Sequence, residues 1–244
     1  TAEELDSWGA KERDICIPSP VQRIFYYLFA AALQETSSHL LSQSCMAYRP
    51  GRQDPVRQTI IRVAGHVRSF SKGAEECWVA SVDIRQAFPS MPWVQLRRAL
   101  GGLGYQEDFI DRLMGLVRVP LARDGEGPKK QHQGCPAGLS ISGTLLNILL
   151  TDLDRSIESK FGRWVRYSRY ADDIQLVSGS RHQLVGAWRA IRRWVEQHGM
   201  QLKGVGPSSS AHDHVHLMAD GPWTLLGCCI DRDGEVTPEP SRAE

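Results

Sequence analysis

Apolar positions recur at helical spacing in six stretches of the chain: residues 21–41, 55–70, 93–103, a run around Asp108 to Val117, 141–161 and 182–199. Five shorter apolar runs read as strands: WVASVDI (78–84), WVRYSRY (164–170), DIQLVSG (173–179), VHLMA (215–219) and WTLLGCCI (223–230). Between them, YRPGRQDP (48–55), ARDGEGPKK (122–130) and KGVGPSSS (203–210) are Gly- and Pro-rich and predict loops. Few strands sharing a layer with several helices predict an α+β fold. The runs at 164–170 and 173–179 leave no room for a crossover, so they must pair antiparallel as a hairpin. Its tip carries Ala171, Asp172 and Asp173.

Composition narrows this only to a class. A chain of 244 residues, 41% hydrophobic and 23% charged, suits one large domain or two lobes sharing a core, and excludes collagen, coiled coil and wholesale disorder. No run approaches the roughly 18 apolar residues of a membrane span, and TAEELDSWGAKERD has no signal-peptide core. A soluble, cytoplasmic protein without a membrane partner is expected, and a first residue of Thr suggests a fragment of a longer chain. Six scattered cysteines without a C-x-x-C pair predict reduced, mostly buried thiols. The 29 Lys and Arg against 28 Asp and Glu leave a formal charge of +1, but the charge is segregated. Arg49, Arg52, Arg57, Arg62, Arg68 and Lys72 share their stretch with one acid, Asp54. Arg163, Arg166, Arg169, Arg181, Arg189, Arg192, Arg193 and Lys203 share theirs with Asp172, Asp173 and Glu196. Such patches suit backbone contacts with nucleic acid, or are simply solvated helix faces.

Acids in a hairpin turn are ordinarily turn formers. Asp83, at the end of a separate apolar strand, changes that. Neighbouring strands lie about 4.8 Å apart, so carboxylates at the ends of two strands can share a pair of Mg²⁺ ions, the arrangement that metal-assisted phosphoryl transfer requires. His212, His214 and His216 alternate and would share one face of a strand; with no fourth ligand at zinc spacing, a polar strand face is the simpler reading.

With these acids in place the sequence resembles the reverse transcriptases, in particular the bacterial group of group II intron, retron, diversity-generating and phage-defence enzymes. RYADDI (169–174) resembles the family's Y-x-D-D turn, and VDIRQAF (82–88) the strand bearing the first metal-binding Asp. GCPAGLSISGTLLNILLTDLD (134–154) aligns without a gap on G-x-P-Q-G-x-x-x-S-P-x-L-x-N-x-x-L-x-x-L-D. EQHGMQL (196–202), LLGCCI (225–230), RDICIPSPVQR (13–23) and YRPGRQ (48–53) resemble the remaining motifs in the same order.

The resemblance implies a right-hand polymerase: fingers in 1–75 with part of 105–135, and a palm in 76–230, an antiparallel sheet backed by helices. Residues 231–244 would be a tail with no thumb, which another chain or a missing segment would then supply. It implies RNA-templated DNA synthesis from an RNA or DNA primer and deoxynucleoside triphosphates, with two Mg²⁺ or Mn²⁺ ions on Asp83, Asp172 and Asp173. Phe88 would exclude a 2′-hydroxyl. Arg13 would contact the triphosphate, aided by Lys11, and Gly138 would admit a close backbone approach to nucleotide or template. Arg49 and Arg52 would touch template backbone or order the fingers, and Asn147 would touch nucleic acid or bond within the core. Where the family has Gln the chain has Ala137, which predicts altered fidelity or nucleotide affinity. Where it has a Lys the chain has Gly206, with Lys203 a nearby substitute. These departures leave two other readings open: a catalytically idle template-binding or scaffolding subunit, and a polymerase with an unconventional template or an RNA product. The resembled group includes bacterial retroelement and antiviral-defence enzymes alike.

Overall fold

In a computed structural model, which describes residues 15–72, 76–118, 133–206 and 208–240, the first helix begins at a capping box. The Ser19 hydroxyl accepts the Gln22 N–H, the Gln22 side chain accepts the Ser19 N–H, and Pro20 occupies the first turn, giving α1 (Pro20–Ser37). The helix ends at Ser37, short of residue 41, and in its last turn Thr36 and Ser37 donate their hydroxyls to the Ala32 and Leu33 carbonyls. Arg49 then collects the carbonyls of Ser38, Leu41 and Ser42. Asp54 caps α2 (Pro55–Ser71) through the Arg57 N–H. The remaining helices are α3 (Trp93–Gly102), α4 (Glu107–Val117), α5 (Ser142–Phe161) and α6 (Arg181–Gln197).

Strands β1 (Trp78–Asp83), β2 (Val165–Tyr170), β3 (Asp173–Ser178) and β4 (His216–Leu217) form an antiparallel sheet in the order β2-β3-β1-β4. Period two divides its residues between two cores. Ala80, Val82, Ile174 and Leu176 pack with α5 and α6 in the larger core. Val79 and Val177, on the opposite face, pack with Ile60, Val63 and Val67 of α2 in a smaller one. Helix α5 runs through the larger core and is buried on most of its circumference, which explains why its apolar stripe is broad. The mixture of helices with an antiparallel sheet is the α+β arrangement expected from the apolar pattern.

Three local expectations are corrected. The run 223–230 is not one strand but a hairpin, β5 (Trp223–Leu225) and β6 (Cys228–Ile230), folded at Leu226 and Gly227, whose φ values of 49° and 80° are both left-handed. Strand β7 (Val236–Pro238) joins it as a three-stranded sheet in the order β5-β6-β7, so part of the expected tail is an exposed edge strand paired with β6. The run 215–219 keeps only β4 as strand, because Ser210 and Asp213 form a capping box that winds residues 211–214 into a 3₁₀ turn. His212, His214 and His216 therefore share no strand face: His214 stacks on Trp188 at 4.9 Å and His216 lies against Trp223 at 5.2 Å. All six cysteines are free; Cys45, Cys77 and Cys135 are buried and the other three are half-buried. Among the described residues no helix is long and apolar enough to cross a membrane.

Candidate active site

The acids meet through strand register. β1 and β3 pair so that Asp83 stands opposite Asp173, and β2 and β3 pair so that Tyr170 stands opposite Asp173. This leaves Ala171 and Asp172 as a two-residue turn, with Ala171 in the left-handed region at φ 55°. The Ile84 N–H donates to the Asp172 carbonyl at 3.3 Å, which ties the turn to the end of β1. Val82 and Ile174 point into the larger core, so Asp83 and Asp173 point to the other face.

That face carries a chain of hydrogen bonds the sequence reading missed. The Trp223 indole N–H donates to Gln175 Oε1 at 2.9 Å. Gln175 Nε2 donates to Asp173 Oδ1 at 2.6 Å and to Ser81 Oγ at 2.9 Å, and Ser81 Oγ donates to Asp173 Oδ1 at 3.3 Å. Burial pushes the Asp173 carboxyl up to about 6; the two hydrogen bonds pull it down, and the charges of Asp83 and Asp172 push it up. Gln175 and Ser81 each sit two residues from an acid on the same strand face, a signal that period two offered and that the acids' own motif overshadowed.

Lys203 enters from the segment after α6, where the Lys203 N–H donates to the Asp83 carbonyl and the Arg85 N–H to that of Gln201. Its ammonium donates to Asp83 Oδ2 at 2.9 Å. Hydrogen bonding and charge from Asp83, then the charges of Asp173 and Asp172, raise the lysine's pKa. Among the described residues no three His, Cys, Asp or Glu side chains converge as a ready metal-binding group. The donor set nevertheless fits a hard divalent cation: three carboxylates within electrostatic reach of one another, one of them already attracting an ammonium as a monovalent stand-in.

The remaining site expectations separate. Phe88 is half-buried at the edge of the larger core and meets the exposed Tyr48 edge-on, ring centroids 6.4 Å apart. Tyr48, which the sequence reading passed over, lies so close above Gly143 that any Cβ there would enter its ring. Gly138 has φ 95°, and a Cβ on it would come within 2.8 Å of the Cys16 carbonyl. The backbone that approaches it is the chain's own, through the parallel bridge of Ile15 with Ala137 and a 2.8 Å bond from Cys16 N–H to the Ala137 carbonyl. Arg13 and Lys11 lie outside the described residues.

Arg49 and Arg52 order the loop: Arg49 takes carbonyls at the end of α1, and Arg52 reaches Gln43, Met46 and Gln58. Asn147 as a nucleic-acid contact is corrected, because it is fully buried with its amide spent. Its Nδ2 donates to the Ala47 carbonyl at 2.8 Å, and its Oδ1 accepts from Arg169 at 3.0 Å and from the Cys45 thiol at 3.1 Å. Arg169 is itself fully buried and fork-bonded to Asp154 at 2.8 and 2.7 Å, with a third bond to the Ala171 carbonyl at 2.8 Å. Burial opposes its charge, but Asp154 more than compensates and raises its pKa. The turn of Ala171 and Asp172 is thus braced from behind by an internal ion pair.

The family model for reverse transcriptase (RNA-dependent DNA polymerase) matches residues 8–204. Retron Mx65 reverse transcriptase of Myxococcus xanthus is 30% identical over 136 residues, 51% of this chain and 31% of that protein. Among solved structures, apo telomerase from Candida tropicalis truncated from its C-terminal domain superposes with a TM-score of 0.59 at 13% identity, over 89% of this chain and 44% of that one. Telomerase from Candida albicans, in complex with the TWJ fragment of telomeric RNA, gives 0.61 at 12% identity, over 92% and 38%. At these identities the likeness concerns the fold, and the chain spans less than half the length of each of these relatives.

Proposed function

The chain belongs to the reverse transcriptase family, and from that premise we propose that it copies RNA into DNA by nucleotidyl transfer at Asp83, Asp172 and Asp173. The observation that carries the reading is the register that sets Asp83 opposite Asp173, with Asp172 in the adjoining turn. In this reading residues 76–230 are the palm, and residues 1–75 with part of 105–135 are the fingers. An RNA template, a primer end and a deoxynucleoside triphosphate meet over the acidic face. Two Mg²⁺ or Mn²⁺ ions held by the carboxylates would make the primer 3′-hydroxyl more acidic and neutralise charge at the α-phosphate.

The chain's own residues do the rest. Asp83 and Asp172 present hard oxygens from two backbone segments. Asp173, held by Gln175 and Ser81, keeps the third carboxylate fixed beside them. Phe88, packed against Tyr48, leaves a wall where a ribose 2′-hydroxyl would sit, which favours deoxynucleotides. Lys203 keeps its ammonium against Asp83, where an arriving divalent cation would take its place on the carboxylate.

The test is primer extension by the purified protein on a primed RNA template, with deoxy- or ribonucleotides and with Mg²⁺ or Mn²⁺. Deoxynucleotides are expected to be incorporated. Asp172→Asn is expected to lower the rate by about a thousandfold or more, since the metal charge stabilisation at stake is several kcal/mol, while the thermal midpoint and RNA affinity stay near those of the wild type. Extension retained by Asp172→Asn refutes the site.

A further inference from the structure

Of the basic residues in the second stretch, those on α6 lie away from the acids. Helix α6 packs Val185, Trp188 and Ile191 into the larger core, against Ala80, Val82, Ile174 and Leu176 of the sheet. Asp83 and Asp173 alternate with Val82 and Ile174 and occupy the opposite face. A helix is about 10–12 Å across, so Arg189 and Arg193 on its outer side are separated from the acids by the sheet and a whole helix, while Arg181 in its first turn lies against Trp78, at the opposite end of β1 from Asp83.

Arg181, His182, Arg189 and Arg193 are exposed there. At 3.6 residues per turn they fall within about a third of the helix circumference, and Arg181 and Arg193 stand about 18 Å apart along the axis at 1.5 Å per residue. Two clefts of about 350 and 380 Å³ flank this row; Arg189 lines both, Arg193 the first and Arg181 the second. Among the described residues Arg189 and Arg193 have no hydrogen bond or ion pair of their own. The acids nearby are committed elsewhere: Glu196 to Arg192 at 2.8 Å, and Asp213 to the Ser210 N–H at 3.0 Å. Arg181 lies over the Trp78 ring at 5.3 Å, which holds its guanidinium plane in place. The row continues past Gly186, which faces Phe161 at the end of α5, towards the exposed Lys160 and Arg163. In a chain whose formal charge is only +1, such a concentration is a local feature.

We infer that the outer face of α6 binds the phosphodiester backbone of RNA outside the catalytic cleft. Three forked donors spread over about 18 Å can each engage a different phosphate of one strand. Arginine forks bond phosphate oxygens in pairs, and a site built on charge without base-edge readers holds RNA regardless of sequence. The choice of RNA over an acidic protein rests on the polymerase reading proposed above.

The experiment measures binding of a labelled single-stranded RNA oligomer across a range of salt, with the catalytic cleft saturated by a short primer–template duplex. The variants are Arg181→Gln/Arg189→Gln/Arg193→Gln, the same three positions changed to Lys, and Asp172→Asn. Single strands lose about 0.7 in the slope of log affinity against log salt per phosphate contact, so the triple Gln protein is expected to lose about two units of slope and bind about tenfold or more weaker. The triple Lys protein should retain most of the affinity, Asp172→Asn all of it, and extension of the short duplex by the triple Gln protein should be unchanged. Equal affinity and slope in wild type and triple Gln, loss in the triple Lys protein equal to that in triple Gln, or no RNA binding by the wild type with the cleft filled would each overturn the inference. A wild type that binds RNA through this face yet extends no primer would sink the polymerase reading alone; extension with binding indifferent to the three arginines would sink the α6 site alone.

Discussion

Gln175 uses both ends of its amide, accepting from Trp223 and donating to Ser81 and Asp173. Because Trp223 can only donate, it dictates which way round that amide sits, and so keeps the Nε2 donor on the carboxylate. Hydrogen bonds to charged groups contribute about 1.5–3 kcal/mol. Trp223→Phe keeps the ring in the smaller core and frees the amide; Gln175→Leu removes the donor. Each is expected to slow primer extension about tenfold through kcat with the KM for nucleotide nearly unchanged, which steady-state kinetics will read. A rise confined to KM, with kcat unchanged, would show that the chain of bonds does not position Asp173. On the other face, Asp154→Ala would leave Arg169 charged and fully buried with nothing to balance it. A cost of about 3–5 kcal/mol follows, measurable by denaturant unfolding. Asn147 shows where the sequence was silent at this scale: its motif position was plain, but that its amide is engaged by Arg169 and by Ala47 and Cys45, the latter two about a hundred residues away along the chain, depends on tertiary contacts.

The hairpin of β2 and β3 was legible because two strand patterns separated by a two-residue turn admit one arrangement. The hairpin of β5 and β6 was not, because Leu226 in a left-handed turn carries none of the Asn or Asp signals such turns prefer, and the apolar run passes through it unbroken. The 3₁₀ turn at 211–214 was hidden behind an alternation of histidines that mimics a strand, although Ser210 and Asp213 held the capping signal. Helix α2 carries a different consequence of burial. His66 sits between α2 and β2, its Nδ1 buried without a partner, and burial, then the charges of Arg62 and Arg166, lower its pKa to about 4. The unfolded chain binds a proton near the ordinary value of about 6.5, so between pH 6.5 and 4 it takes up more protons than the folded one. Stability is therefore full above pH 6.5 and declines as the pH falls, by up to about 3 kcal/mol at pH 4. Urea unfolding across this range should show the decline in the wild type and a shallower one in His66→Leu; parallel curves would remove His66 as its source.

Across the whole molecule, composition said little and order said much. A formal charge of +1 concealed a face of carboxylates and an opposite face of arginines, and only the alternation of side chains across one sheet tells them apart. The sequence placed basic residues in stretches; it could not say that Arg49 and Arg52 would spend their donors on loop carbonyls while Arg189 and Arg193 kept theirs open to solvent. The fold class was readable because helix and strand periods differ, whereas the acids were singled out by the hairpin turn together with the resemblance to the reverse transcriptases.

The pairing of Asp83 with Asp173 also sets what kinds of change the chain can survive in its descendants. A deletion of one residue within β3 would carry one end of the strand through half a pleat, trading carboxylate for isoleucine and turning the charge inward. Substitutions along that strand are negotiable one at a time, whereas its length is not. Over long divergence, additions and losses are accordingly expected to collect in the connections between elements, with the span from Val165 to Ser178 keeping a constant count.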